Sequence, residues 1–189
     1  MPSFERRSHG VPIFTNYLAL SVPIWKADIL RYFLLWDQSG IWFDLDVSCE
    51  NIPIDEWIPT EYKTDTAPVV GWEFDHGWPG RYMHQMEIWA MMAKPRSPHL
   101  MQVINDVLQV LEEKTTELGI PVGNASMDMI GDTVEFTGPR RLTSGVYKSL
   151  GNMLNKSLEG SDVEDLLQPK LVGDAVSYTH LTLPTKRIV

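Results

Sequence analysis

Cysteine is almost missing from this chain. Cys49 stands alone, so no internal disulfide can form and a cysteine-based zinc site has no ligand set. The cysteine count therefore says nothing about the compartment. Positive charge is also scarce: 16 Lys and Arg face 25 Asp and Glu, a net charge of −9, and the acidic excess forms no single block. A protein that grips a nucleic-acid backbone needs a basic stripe, and none is present, so nucleic acid is not an expected partner. No apolar run reaches the length of a membrane-spanning helix, and the first residues do not follow a signal-peptide pattern. If the parent protein is membrane-anchored, the anchor is expected outside this chain. Internal repeats are absent as well.

The 189 residues, 43% of them apolar, are enough for one domain with a real core. Seven Trp are many for this length, and several stand beside charged residues. Such Trp either pack in the core and at its rim or form a sugar-binding surface, since an indole stacks on the apolar face of a pyranose.

Residues 1–21 read as loop with at most a short helix around Phe14 to Leu20. Pro23 is suited to a helix start, and Ile24 to Gln38 repeats apolar residues at helical spacing until Gly40 stops it. Ile41 to Val47 reads as a buried strand, and Ala67 to Phe74 as a second one. Arg81 to Ala93 fits either helix or strand. Pro98 to about Leu118 is a strong helix, Asn124 to Ile130 a further helical stretch, and Leu142 to Leu154 another helix. Lys170 to Ala175 looks like the start of a strand. Strands interleaved with helices favour an α/β fold. The final stretch, Val176 to Val189, breaks the pattern and looks like a translated sequencing-adapter tail. It is set apart from residues 1–175 as non-native and is expected to be unstructured.

Asp44 and Asp46 flank Leu45 at the end of the predicted strand, so alternation would point both carboxylates the same way. Two such carboxylates suit a hard divalent cation shared with a diphosphate, manganese or magnesium, where the metal acts as a Lewis acid on the departing diphosphate. A lone Asp-x-Asp is frequent by chance, and two aspartates capping a loop is the competing reading. The helix before it adds weight. Asp28 and Arg31 lie three apart on one helical face that runs straight into the Asp-bearing strand. They are either a surface ion pair of little value or a carboxylate and guanidinium that contact sugar hydroxyls and phosphate oxygens.

Lys26-Ala-Asp28-Ile-Leu-Arg31-Tyr32 followed by Ser39-Gly40-Ile-Trp42-Phe-Asp44-Leu-Asp46 resembles the donor-site block of glycosyltransferase family 32. That family includes the fungal initiation-specific α-1,6-mannosyltransferases and is similar to the sugar-binding region of the large clostridial glucosylating toxins. The similarity continues through Gly71-Trp72-Glu73, Ala93-Lys94-Pro95 with Pro98, and Thr137-Gly138-Pro139, from about Pro23 to Ala175. The resemblance implies a GT-A-like nucleotide-sugar-binding domain, a central mixed sheet flanked by helices, and hexose transfer with retention of configuration. By matching position, Asp28, Arg31 and Trp42 would bind the donor sugar and nucleotide. Asp44 and Asp46 would be the catalytic pair, with Asp46 the direct ligand of Mn2+ or Mg2+ and Asp44 assisting. GDP-mannose is the favoured donor, a UDP-hexose the other option, and the acceptor a glycan or glycolipid. The implied setting is the Golgi lumen.

Many relatives carry Gly-Gly and Tyr where this chain has Ser39-Gly40 and Trp42. They also begin with a nucleotide-binding strand–helix–strand segment, and nothing before Pro23 resembles it. They continue past Leu171 to Asp174 into further core. The chain is thus expected to be a piece of a longer enzyme, truncated at both ends, and itself poorly active.

Two other readings remain. An apolar strand ending in Asp-x-Asp also describes a haloacid-dehalogenase-like phosphatase, with Gly131-Asp132-Thr-Val-Glu135 as a loose second motif. A catalytically inactive sugar-nucleotide-binding fragment is the alternative from outside the enzymes. His76, His84 and His99 have no metal-ligand spacing and read as loop or surface histidines. Met83, Met86, Met91 and Met92 read as packing residues. Asn124-Ala125-Ser126 and Asn155-Lys156-Ser157 fit the N-glycosylation pattern.

Overall fold

The computed structural model describes residues 7–8, 11–49, 53–64, 67–74, 85–158, 162, 170–178 and 185–187. A short hairpin of β1 (Arg7–Ser8) and β2 (Val11–Pro12) leads into α1 (Ile13–Ala19). Helix α2 (Pro23–Gln38) follows, then β3 (Gly40–Phe43) and β4 (Val47–Cys49). Strands β5 (Pro68–Phe74) and β6 (Gln85–Ala93) precede the long α3 (Pro98–Leu118). Two single-turn helices, α4 (Met127–Ile130) and α5 (Thr133–Phe136), connect to α6 (Pro139–Leu154). Strands β7 (Lys170–Val172), β8 (Ala175–Tyr178) and β9 (Thr185–Arg187) complete the described part.

Five strands form a mixed sheet in the order β3-β6-β5-β8-β7, antiparallel except for the parallel pair β5 and β8. Helices α2 and α6 pack on the sheet, and α3 packs on both of them. Their shared core holds Tyr32, Leu35, Val70, Trp72, Met86, Met91, Leu100, Val103, Ile104 and Leu142. The other sheet face is closed by Trp57, against which Phe43 stands edge to face at 5.5 Å, together with Ile58 and Tyr62. A third cluster ties the start of α2 to α5, with Trp25 edge-on to Phe136 at 4.9 Å.

The helices start and stop for local reasons. Proline opens α2, α3 and α6, where its missing N–H costs no hydrogen bond. Gly119, in the left-handed region at φ 63°, ends α3. After α2 it is Ser39, at φ 64°, that turns the chain, its N–H bonding the Leu35 carbonyl at 3.0 Å, and Gly40 at φ 105° completes the reversal. Helix α6 starts three residues before the position read from periodicity, because Pro139 provides the first turn.

The strand expected over Ile41 to Val47 is two strands separated by a turn, since Val47 N–H closes on the Asp44 carbonyl at 3.2 Å. The ambiguous segment resolves as strand from Gln85, and residues 81–84 lie outside the described residues. The stretch after Ala175 differs from expectation too. Val176, fully buried, and its two successors pair with the open edge of β5, and Thr185 to Arg187 pair with β4. The expected lack of structure therefore does not hold for these residues: the alternating Val-Ser-Tyr supplies the backbone donors and acceptors that β5 needs. Residues 179–184 and 188–189 lie outside the described residues.

Gly145 is where α6 meets α3 most closely. A Cβ there would sit 2.6 Å from Val103 Cγ2 and 3.1 Å from Val103 Cα. A Gly145→Val variant forces the two helices apart and is expected to lose about 1–3 kcal/mol of stability. Urea unfolding of both proteins checks this, and equal midpoints would contradict it.

Candidate functional site

The candidate site forms where α2, the exit of β3 and the middle of β6 converge. Strand β6 departs from regular pairing there. On its β3 side the register is continuous from Ala93 to Ala90, but on its β5 side it jumps from Val70–Met91 to Trp72–Met86. Bulges of this kind bend a strand and re-aim its groups. Two carbonyls at this irregularity turn to the site: Trp89 C=O accepts the Asp44 N–H at 2.8 Å, and Ile88 C=O accepts from Arg31 Nη1 at 2.9 Å. Gly71 lies across from it because a Cβ at this position would collide with the buried Glu87 carboxylate.

Arg31 is the hub. Its Nη1 also donates to Asp44 Oδ2 at 3.3 Å, and its Nη2 lies 3.4 Å from Asp28 Oδ1. The guanidinium carbon stands 5.7 Å from the Trp42 ring centroid, a cation–π distance. Trp42 in turn donates its indole N–H to Asp44 Oδ1 at 2.8 Å. Arg31 Nε finds no acceptor among the described residues. Sequence spacing had paired Asp28 with Arg31, and the structure brings Trp42 and Asp44 to the same pair. Instead of a surface ion pair, it is a buried one: the Asp28 and Arg31 side chains are 3% and 7% exposed.

The two aspartates of the motif differ. Asp44 is fixed from both sides and its side chain is 27% exposed. Leu45 projects fully into solvent, and Asp46 is half-buried on the turn that leads to β4. Because neither lies within a strand, alternation does not set their directions, and the turn does. Hard oxygen donors in this position fit a divalent cation. Asp46, with Asp44 two positions before it at the exit of β3, would hold such a cation. Among the described residues no group of three or more His, Cys, Asp or Glu gathers. A cation here would complete its shell with diphosphate oxygens and water, as magnesium-type sites commonly do.

Three groups of the cluster have no signal in residue spacing. Thr137 Oγ1 donates to Asp28 Oδ2 at 2.7 Å, Tyr32 Oη donates to the Thr137 carbonyl at 2.8 Å, and the Ile88 carbonyl holds Arg31. Only the Thr-Gly-Pro and Asp-x-x-Arg-Tyr strings pointed toward Thr137 and Tyr32. His99, read as a surface residue, is fully buried and contacts Asp174 Oδ1 through Nε2 at 2.6 Å, far along the sheet from Asp44. His76 and His84 lie outside the described residues. Met86 and Met91 are core residues. Asp132 caps α5 by accepting from Val134 N–H at 3.0 Å and Glu135 pairs with Arg140, which gives the phosphatase-like string a structural role away from Asp44.

Residues 2–64 match the family model described as the glycosyltransferase sugar-binding region containing DXD motif. The match contains Asp28, Arg31, Trp42, Asp44 and Asp46, and it begins well before Pro23, where the motif resemblance had been taken to start. Over 181 residues the chain is 25% identical to the putative glycosyltransferase HOC1 of Saccharomyces cerevisiae, covering 90% of this chain and 45% of that protein. It is 28% identical over 167 residues to the initiation-specific α-1,6-mannosyltransferase of Schizosaccharomyces pombe, covering 85% and 40%. The corresponding Candida albicans enzyme is 28% identical over 150 residues, covering 73% and 38%. The chain thus spans less than half the length of these relatives. Its mixed sheet flanked by helices agrees with a GT-A-like glycosyltransferase domain.

Burial raises the Asp28 pKa above the ordinary aspartate value, against the Thr137 hydrogen bond and the Arg31 charge, while the Asp44 charge adds to the rise. The folded state therefore holds a proton at Asp28 more tightly than the unfolded chain does. This stabilising contribution is complete below the unfolded-state pKa and is lost as pH rises through the folded-state value. Asp28→Asn, which fixes a neutral side chain, should gain stability relative to the parent between about pH 4 and about pH 7. Urea unfolding of both proteins at the two pH values reads the difference, and a difference that does not change with pH contradicts it.

Proposed function

We propose that this chain supplies the donor site of a metal-assisted glycosyltransferase that transfers a hexose from a nucleotide sugar to a glycan acceptor. The observation that carries the reading is the convergence of Asp28, Arg31, Trp42 and Asp44 into one polar cluster inside the matched sugar-binding region. The names of the relatives favour mannose as the sugar, and the family resemblance makes GDP-mannose the preferred donor over a UDP-hexose. The described residues through β8 form a partial GT-A-like domain on this reading. Retention of configuration, and a Golgi lumenal setting with the anchor elsewhere in a longer protein, follow from the family resemblance.

Arg31 provides fixed positive charge beside the place where a diphosphate would lie. A guanidinium already held by protein acceptors needs no reorganisation when charge develops on the leaving group. Asp44 keeps Arg31 and Trp42 in register and offers its exposed edge to ribose or sugar hydroxyls. Asp46, with Asp44 beside it, would hold Mn2+ or Mg2+, which when bound supplies Lewis-acid neutralisation of the diphosphate. Asp28, being buried, acts chiefly through Arg31 and presents little surface of its own.

Titration of the chain with GDP-mannose and then UDP-glucose, each with and without manganese, tests the reading. Manganese-dependent binding of one donor is expected, weakened at least about tenfold in Asp46→Ala, the equivalent of about 1.4 kcal/mol. Binding without transfer to any acceptor would identify an inactive donor-binding unit. If the folded chain binds neither donor, the donor-site reading fails.

A further inference from the structure

We propose that Thr137 is a positioning residue of the donor site: its hydroxyl holds one oxygen of Asp28 so that the other is directed at Arg31. The inference rests on the donor-site reading for its functional consequence, but its structural half stands on this chain alone.

Thr137 is fully buried and each of its polar groups is engaged. Its N–H bonds the Thr133 carbonyl at 3.0 Å, its carbonyl accepts from Tyr32 at 2.8 Å, and its hydroxyl donates to Asp28 at 2.7 Å. Asp28 and Tyr32 are four apart on α2, so one face of that helix grips this single residue from the α5–α6 junction with two side chains. The junction is rigid. Phe136 before it is locked edge-on against Trp25 of α2, and a Cβ on Gly138 after it would fall 2.9 Å from Val134 Cα. Pro139 then fixes the first turn of α6. The threonine hydroxyl is thus presented at a defined point.

Asp28 needs that hydroxyl. Its carboxylate has two oxygens, and Arg31 takes one through Nη2. A buried carboxylate with an oxygen left unsatisfied either gains a proton or rotates toward another donor, and both weaken its hold on the guanidinium. Arg31 would then be steered by Asp44 and the Ile88 carbonyl alone, through Nη1. Thr137 therefore reaches the donor only through Asp28 and Arg31, and it contacts no substrate itself.

The test compares the parent with Thr137→Val, Thr137→Ser and Thr115→Val. Thr137→Val keeps the shape and removes the hydroxyl, and serine keeps the hydroxyl. Thr115→Val makes the same change within α3, where the buried hydroxyl donates to the Leu111 carbonyl at 2.7 Å. Two quantities are read: affinity for GDP-mannose and UDP-glucose with manganese, and the 15N signals of the Arg31 guanidinium, identified by their loss in Arg31→Lys. Thr137→Val should weaken donor binding about tenfold and shift or broaden the Arg31 signals, serine should restore both, and Thr115→Val should change neither comparably. Should the Thr137→Val variant not fold, Thr137→Cys, whose thiol is a weak donor, takes its place. Equal losses in Thr137→Val and Thr115→Val, or no rescue by serine, would overturn the proposal in favour of general loosening. If the parent binds neither nucleotide sugar while the Arg31 signals still follow the hydroxyl, the positioning stands and the donor-site reading falls. If donor binds but both readouts ignore the hydroxyl, the positioning falls and the donor-site reading stands.

Discussion

A guanidinium withdrawn from water is the constraint around which this structure is arranged. Burying a cation is costly unless its hydrogen-bonding and charge demands are met where it lies. Arg31 meets them with the Asp28 carboxylate from its own helix, the Asp44 carboxylate at the end of β3, and the Ile88 carbonyl from the irregular part of β6. Those acceptors belong to three elements that ordinary packing could place in many relative positions. Charge fixes them to one. The bulged register of β6, which would otherwise be a defect in the sheet, gives Arg31 and the Asp44 amide their carbonyl partners.

The Asp-x-Asp motif is asymmetric for the same reason. Asp44 belongs to the buried cluster and has both oxygens engaged, whereas Asp46 lies beyond the fully exposed Leu45 on a turn. On the proposed donor-site reading, the first aspartate would join the protein to its ligand site and the second would take the cation. Arg31 would then supply the positive charge in a chain of acidic balance.

Much of this was legible from residue order. Helices α2 and α3 follow their apolar periodicity and their proline starts almost to the residue, because tertiary packing and local preference agree there. The grouping of Asp28 with Arg31, and of both with the aspartate motif, followed from helical spacing and a tight turn. The split of Ile41 to Val47 into strand and turn was not legible, since Leu45 and Val47 extend the apolar run while the decisive bond, Val47 N–H to Asp44 C=O, is a backbone matter. Likewise the burial of His99 depends on Asp174, 75 residues away, and no local pattern announces such a partner. Thr137 was hidden for the same reason: a threonine before Gly-Pro looks like punctuation until α2 is seen to close on it.

The distance along the chain between Thr137 and Asp28, 109 residues, has a consequence for how the molecule is made. On a ribosome the residues of α2, β3 and β6 emerge long before the α5–α6 junction does. Until that junction arrives, the nascent chain holds a carboxylate and a guanidinium whose enclosure is incomplete and which water can still reach. Contacts so far apart in sequence are formed late and slow the final assembly. The cluster around Arg31 is therefore complete only once the α5–α6 junction has emerged, even though the motif that announces it lies entirely in the first third of the chain.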